Sequence, residues 1–177
     1  GKGAAPDVPF YGSYRPTCGR GPWAKVVVTL KASVDGGTQF DRIGDVMVNG
    51  IELLHFTTPE GEDGVTRWTS TRDVTPESAG LGVPGPSYVQ IGNQTDSTYT
   101  GVFHASAFLT FYKATRSHPA PRPAHQVIGL VPRGVNDTAS ITKPKDRLGS
   151  TVVLPVNTTN LTAQVFMRAV EQLDTTR

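Results

Sequence analysis

The stretch RIGDVMVNGIELLHF, residues 42–56, decides the fold of this chain. Two mostly apolar runs, residues 42–48 and 51–56, flank the dipeptide Asn49-Gly50. Asn and Gly adopt positive φ readily, and a type I′ turn needs positive φ at both of its central residues. The sequence therefore predicts a β-hairpin that turns at this dipeptide.

Further runs with strand character surround the hairpin. Residues 23–32 alternate around a valine core, and residues 65–75, 87–92 and 100–112 resemble strands in their β-branched and aromatic content. The 177 residues include 19 glycines and 14 prolines, which favours short strands joined by turns over helices. Residues 1–114 are therefore predicted to form an all-β, antiparallel jelly-roll sandwich.

The composition changes after residue 114. Residues 115–125 contain three prolines within five residues, which stiffen the backbone and remove hydrogen-bond donors, so we interpret them as a linker. Residues 126–177 hold three strand-like segments, VIGLVP, STVVLPV and TAQVFMRAV. Three short strands cannot cover both faces of a sheet. We therefore expect a partial second jelly roll, which the first domain or a partner chain must complete.

Charge and hydropathy argue against two classes of partner. The 17 basic and 15 acidic side chains are scattered and leave a net charge of +2, without the basic patch of a nucleic-acid-binding protein. No apolar run approaches the roughly 20 residues that a membrane span needs, and the stretch GKGAAPDVPF lacks the apolar core of a signal peptide. We expect neither nucleic acid nor a membrane as a partner.

Four Asn-x-Ser/Thr sequons, at Asn93, Asn136, Asn157 and Asn160, suit a glycosylated protein that is secreted or held in another exported compartment. A chain rich in threonine also contains some sequons by chance. The single cysteine, Cys18, allows either a disulfide to another chain or an unreactive thiol.

The order of several segments resembles a known enzyme family. These segments are GTQFDRIGDVMVNGIELLHFTTPE, RWTSTRDVT, QIGNQTDSTYTGVFHASAFLTFY, VIGLVP and AQVFMRAV. In this order they resemble the peptide-N-glycanases of the plant and fungal A type, amidases that remove whole N-linked glycans from asparagine. A fainter similarity to the bacterial F type rests mainly on the Phe-Asp-Arg triplet. The resemblance implies two jelly-roll domains with the active site in the cleft between them, and no cofactor.

The same resemblance implies roles for individual residues. Asp41 matches the principal catalytic aspartate, and Arg42 matches the arginine that holds the polar network of the site. A second essential acid, a glutamate, should follow TAQVFMRAV, but the sequence there reads EQLDTTR. A further glutamate of the F type has no acidic match, since Gln90 and Gly92 occupy that region. We therefore expect this chain to be the N-terminal subunit of a cleaved precursor, active only with a C-terminal chain that carries the glutamate.

The chemistry of amide hydrolysis suggests a specific role for each of the two matched residues, Asp41 and Arg42. Asp41 can orient or deprotonate the attacking water, and Arg42 can brace that carboxylate or bind the polarised carbonyl oxygen. Neighbours on a regular strand point to opposite faces, so the pair serves one site only if the backbone bulges at Asp41 or if both residues precede the strand. The structural alternatives are a turn-capping aspartate and a solvated edge arginine.

Several other side chains are candidates for the site or have structural interpretations. Trp68 and Tyr99 are candidate platforms for sugar rings, although a packing role suits Trp68 equally well. Asp45 is interpreted as a surface residue on the face of Asp41. His55 and His104 lie within strands and are interpreted as structural. No His, Cys and Asp spacing predicts a metal site.

These observations lead to a ranked set of functions. The first is a subunit of an amidase that hydrolyses the bond between asparagine and N-acetylglucosamine in glycopeptides. The second is a non-catalytic jelly-roll carbohydrate-binding module, because one of the two expected acids is not present in the sequence. A structural sandwich domain of an envelope or capsid protein is the third.

Overall fold

The computed structural model describes residues 10–60, 64–92, 95–122, 124–128 and 151–164. These residues form seven strands and two short helical turns. In chain order the elements are β1 (Phe10–Tyr14), β2 (Trp23–Asp35), β3 (Ile43–Val48), β4 (Ile51–Thr57), β5 (Thr66–Asp73), a 3-10 turn (Thr75–Glu77), α1 (Ser78–Leu81), β6 (Gly85–Ile91) and β7 (Val102–Lys113).

The strands form two antiparallel sheets. Sheet A has the order β1-β6-β3-β4 and sheet B has the order β5-β2-β7. Every strand that the sequence predicts before residue 114 is present, which confirms the all-β sandwich. The short strand β1 was not predicted, and it pairs with β6 from Phe10 opposite Val89 to Tyr14 opposite Gly85. The full jelly-roll connectivity stays a prediction.

The hairpin of β3 and β4 turns as predicted. Asn49 and Gly50 have φ values of 55° and 74°, the positive pair that a type I′ turn requires. The Asn49 side chain also donates from Nδ2 to the carbonyl oxygens of Gly80, at 3.0 Å, and of Val83, at 3.1 Å. The turn residue therefore links the hairpin to the end of α1.

A β-bulge on β4 changes which side chains share a face. Val46 pairs with Leu54 and Met47 pairs with Glu52, so Leu53 is one extra residue on β4. Leu53 and Leu54 are both buried in the core. As a result, Glu52 and His55 lie on the same outer face of sheet A, although they are three residues apart.

The core lies between the inner faces of the two sheets. Alternate residues of β2 point into it, as the valine pattern of residues 23–32 predicts, and each fully buried aliphatic side chain contributes about 1.5–3 kcal/mol. Trp23 packs against this core, with its ring 5.0 Å from that of Phe111. The buried residues of the core include Val26, Val28, Leu30, Val34, Val46, Val48, Leu53, Leu54, Phe56, Leu81, Ile91 and Phe103.

The segment STVVLPV does not form the predicted strand over its described residues, 151–156. A strand needs a hydrogen-bonded neighbour, and no described residue pairs with this segment in a sheet. Two of its valines are almost fully exposed, with Val153 at 88% and Val156 at 90%. The residues of VIGLVP after 128 and of TAQVFMRAV after 164 lie outside the described residues. Completion of a second unit by a partner chain stays a prediction.

Among the described residues no helix is long and apolar enough to cross a membrane.

Candidate active site

The crossover segment, residues 36–42, carries the chain from sheet B to sheet A. It begins after β2 at Gly36 and Gly37, whose φ values are 81° and 143°, a conformation that favours glycine. The segment runs beside the described part of the β6–β7 loop, residues 95–101, and the Gly101 amide donates to the Thr38 carbonyl oxygen at 3.1 Å. This end of the sandwich therefore brings together two connections that are far apart in sequence.

Asp41 and Arg42 directly precede β3, which begins at Ile43. The pair is thus placed before the strand, which is one of the two arrangements that would let both side chains serve one site. Hydrogen bonds fix the backbone here: the Arg42 amide donates to Thr58 Oγ1 at 2.7 Å, and the Thr58 amide donates to the Arg42 carbonyl at 2.7 Å. Asp41 itself is exposed and has no hydrogen bond or ion pair with the described residues.

Arg42 is held by two neighbours in sequence. Its guanidinium carbon lies 3.2 Å from the centroid of the Phe40 ring, which is a cation–π contact. Its Nε and Nη2 atoms donate to Gln39 Oε1 at 3.4 and 3.1 Å. Stacking and directed hydrogen bonds together restrict a side chain that otherwise samples many rotamers. The positive charge of the residue that follows Asp41 is therefore held in a defined place.

Tyr99 joins the same cluster from the β6–β7 loop. Its half-buried ring meets the Phe40 ring edge-on, with 4.6 Å between centroids. Asp96 Oδ1 accepts from the backbone amides of Thr98 and Tyr99, both at 2.8 Å, and so shapes the loop. The Tyr99 and Thr98 amides lower the pKa of Asp96, and the positive charge of Arg42 lowers it further. Tyr99 is therefore next to the Asp41 segment, as its candidate role requires.

Trp68 occupies a different environment. It lies on β5 opposite Ala32, and its ring is 6.1 Å from that of Phe103 in an edge-to-face arrangement. The ring is half-buried and packs against the core. Its Nε1 atom is buried and has no hydrogen-bond partner among the described residues. This packing matches the structural alternative for Trp68 more closely than an open sugar platform.

Three titratable side chains that are not adjacent in the sequence lie close together on the outer face of sheet A. His55 Nδ1 is 2.5 Å from Asp45 Oδ1 and 3.2 Å from Glu52 Oε1. The interpretation of Asp45 as a surface residue is wrong, since it is 5% exposed. Burial raises the pKa of Glu52 to about 7, and the neighbouring negative charge of Asp45 adds to this rise. We call these residues the acid–histidine cluster.

The acid–histidine cluster also corrects the expectation that no spacing gathers metal-ligand residues. Its three ligand atoms lie within 4.8 Å of one another, and imidazole and carboxylate groups are common zinc ligands. Hydrogen-bond distances already connect these side chains into one network. The sequence concealed the cluster because residues 52 and 55 share a face only through the bulge at Leu53.

The remaining candidates are scattered. Asn157 and Asn160 are exposed, whereas Asn93 and Asn136 lie outside the described residues. Cys18 is exposed and forms no disulfide with the described part of the chain. The side chain of His104 is 62% exposed and lies 3.9 Å from Asp35.

The structure is an all-β sandwich with an exposed acid and a restrained arginine on one of its connections, and comparisons with known proteins identify its class. The family model Peptide N-acetyl-beta-D-glucosaminyl asparaginase amidase A matches residues 3–172, and the chain belongs to this amidase family. Peptide-N4-(N-acetyl-beta-glucosaminyl)asparagine amidase A of Prunus dulcis is 33% identical over 110 residues, which are 61% of this chain. The aligned region is 19% of that relative, so the chain spans about a fifth of its length. No solved structure matches the chain.

Proposed function

We propose that this chain is the N-terminal part of an amidase that hydrolyses the bond between asparagine and N-acetylglucosamine and so releases N-linked glycans. The observation that carries the proposal is the exposed Asp41, which is followed in the chain by Arg42, whose guanidinium stacking and hydrogen bonds hold in place. Family membership over residues 3–172 supports the same reaction class.

The proposed mechanism divides the work between the two side chains. An amide is a poor electrophile, so hydrolysis needs an activated water together with stabilisation of the charge that develops on the carbonyl oxygen. Asp41 takes the proton of the water, and Arg42 stabilises the developing oxyanion or steadies the carboxylate. The half-buried Tyr99 ring gives the first sugar an apolar surface next to this pair.

We further propose that a second acid, a glutamate on the remainder of the precursor, protonates the leaving amide nitrogen. Support comes from the resemblance and from the small share of the Prunus dulcis relative that the chain covers. This chain alone should then be inactive towards a glycopeptide, and mixing it with the rest of the precursor should restore release. Full activity of the isolated chain would contradict the division of the site between two segments.

The test of the whole proposal uses the complete protein that contains this chain. Asp41→Asn keeps the shape of the side chain and removes the base, so release of glycan from a glycopeptide should fall by at least about 10²-fold while glycan binding persists. The matched control is Asp35→Asn, at the end of β2, which should keep wild-type release. Wild-type release by the Asp41 variant would refute the role of Asp41. Binding without release by the wild-type protein would favour the carbohydrate-binding module instead.

A further inference from the structure

Gln39 is an unusual residue for the interior of this end of the sandwich. Its polar side chain is 1% exposed, although it lies only two positions before the exposed Asp41. A buried amide is stable only when both of its ends form hydrogen bonds. The contacts of Gln39 therefore indicate which groups its position depends on.

Both ends of the Gln39 amide have partners, and each partner lies on a different connection. Nε2 donates to the Gly101 carbonyl oxygen at 2.9 Å, and Oε1 accepts from Nε and Nη2 of Arg42. A carbonyl only accepts and a guanidinium only donates, so this is the one orientation of the amide that satisfies both. The side chain thus connects the β6–β7 loop to the charge beside Asp41.

The Gly101 end of this connection is itself tightly packed. A Cβ atom on Gly101 would lie 2.7 Å from the Gly37 carbonyl oxygen and 2.9 Å from a methyl group of Val34. The Gly101 amide also donates to the Thr38 carbonyl oxygen. Close packing and this second hydrogen bond restrain the Gly101 backbone, whose carbonyl oxygen accepts from Gln39.

We propose that Gln39 is a positioning residue of this site, which holds the Arg42 guanidinium over the Phe40 ring in the place where it acts during amide hydrolysis. The proposal rests on the proposed function of Asp41 and Arg42. Preorganised charge is effective because it needs no rearrangement as the reaction proceeds, and a displacement of about 1 Å can reduce the rate by on the order of 10²-fold.

Two substitutions at position 39 separate positioning from simple packing. Gln39→Leu fills a similar volume and offers Arg42 no acceptor. Gln39→Glu keeps an acceptor for Arg42 but loses the donor to Gly101 and introduces a buried carboxylate. In the complete protein, kcat should fall about 10–100-fold in Gln39→Leu with a much smaller change in KM. Gln39→Glu should retain a clearly higher kcat than Gln39→Leu, even though its thermal stability is equal or lower.

If the role of Gln39 were purely structural, activity would follow stability, and Gln39→Glu would be no more active than Gln39→Leu. The matched control is Thr100→Ala on the same loop. Among the described residues the Thr100 hydroxyl donates one hydrogen bond, to the Gly36 carbonyl at 3.5 Å, and it packs against Gly37. The Thr100→Ala variant should keep wild-type kcat. A folded Gln39→Leu protein with kcat within twofold of wild type would overturn the proposal, and so would a Gln39→Glu protein that is no more active than Gln39→Leu.

An NMR measurement tests the positioning role of Gln39 even if the protein releases no glycan. With ¹⁵N-labelled arginine in the complete protein, the Arg42 Nε–H signal, assigned by its loss in Arg42→Lys, should be shifted upfield by the Phe40 ring. In Gln39→Leu this signal should move to the position of a mobile arginine, and in Thr100→Ala it should stay. Absence of release by the wild type would refute the proposed function alone. An unmoved Arg42 signal in Gln39→Leu would refute the positioning role.

Discussion

Arg42 and Asp45 are three residues apart, yet their charged side chains lie in different environments. Arg42 precedes β3, and its guanidinium donates two hydrogen bonds to Gln39 and stacks on the Phe40 ring. Asp45 lies inside β3, and strand pairing places it opposite His55 on a buried part of the outer face of sheet A. The difference is that the charge before the strand is held by side-chain contacts on a connection, whereas the charge within the strand is placed by strand pairing next to other titratable groups.

The two regions also differ in how their charges are balanced. The acid–histidine cluster has two carboxylates for one imidazole, and one of the acids, Glu52, has a pKa raised to about 7. The crossover segment has an exposed acid next to a cation held by neutral groups. The first arrangement should therefore affect stability as pH changes, and the second should affect turnover.

The largest effect is expected at Arg42. Arg42→Lys keeps the charge but loses the planar fork that contacts Gln39 and stacks on Phe40, so kcat for glycan release should fall by at least about 10²-fold. Thermal stability of the complete protein should change little. The control Arg67→Lys, at an exposed position on β5, should leave kcat unchanged. A kcat of Arg42→Lys close to wild type would remove the contrast between the two regions.

A smaller and pH-dependent effect is expected at Glu52. Because its pKa is raised to about 7 in the folded protein, above its ordinary value of 4.5, the folded state holds this proton more tightly than the unfolded state. The resulting stabilisation is complete below pH 4.5 and is lost as the pH rises towards 7. Glu52→Gln mimics the protonated form, so its advantage over wild type should grow across this range.

The size of the stability advantage of Glu52→Gln follows from the rise in the pKa of Glu52. Above the raised pKa, Glu52→Gln should be about 2 kcal/mol more stable than wild type, after allowance for solvent screening of a side chain that is 28% exposed. Chemical denaturation at several pH values measures it, and Glu60→Gln, at an exposed position, is the control. A difference between wild type and Glu52→Gln that does not vary with pH would contradict the raised pKa.

The smallest effect is expected at the exposed sequons, far from both regions in sequence. If the protein is exported through a glycosylating compartment, Asn157→Gln and Asn160→Gln should each remove the mass of one glycan, as mass spectrometry of the intact protein would report. Release of glycan from a substrate should stay within about twofold of wild type, because both side chains are exposed. Unchanged masses would argue against an exported location.

The fold could be predicted in most of its parts from local patterns. Alternation in residues 23–32 and the positive-φ dipeptide Asn49-Gly50 are local signals, and both were confirmed. The strand β1 was missed because it is short and pairs with β6, far along the chain. The segment at 151–156 has strand propensity, but propensity alone does not supply a hydrogen-bonded neighbour.

The candidate site was predicted only in part. The triplet containing Asp41 and Arg42 can be recognised in the sequence. Tyr99 is predicted from the sequence only as a surface for sugar rings, and its contact with Phe40 comes from the tertiary structure. Gln39 gave no signal, because a glutamine next to a turn is normally a surface residue, and only tertiary contacts bury it. Asp45 and His55 were each weighed singly, since no regular spacing predicts that a bulge aligns them with Glu52.

The amino-acid sequence by itself determined the strands, the turn of the central hairpin and the residues that mark the family, because these depend on short-range periodicity, backbone preference and residue identity. The tertiary structure alone decided which polar groups meet. Gly101 anchors Gln39 across 62 positions of sequence, and the bulge at Leu53 assembles the acid–histidine cluster. Such contacts depend on how two sheets and their connections pack, and that geometry is not contained in any local stretch of the chain.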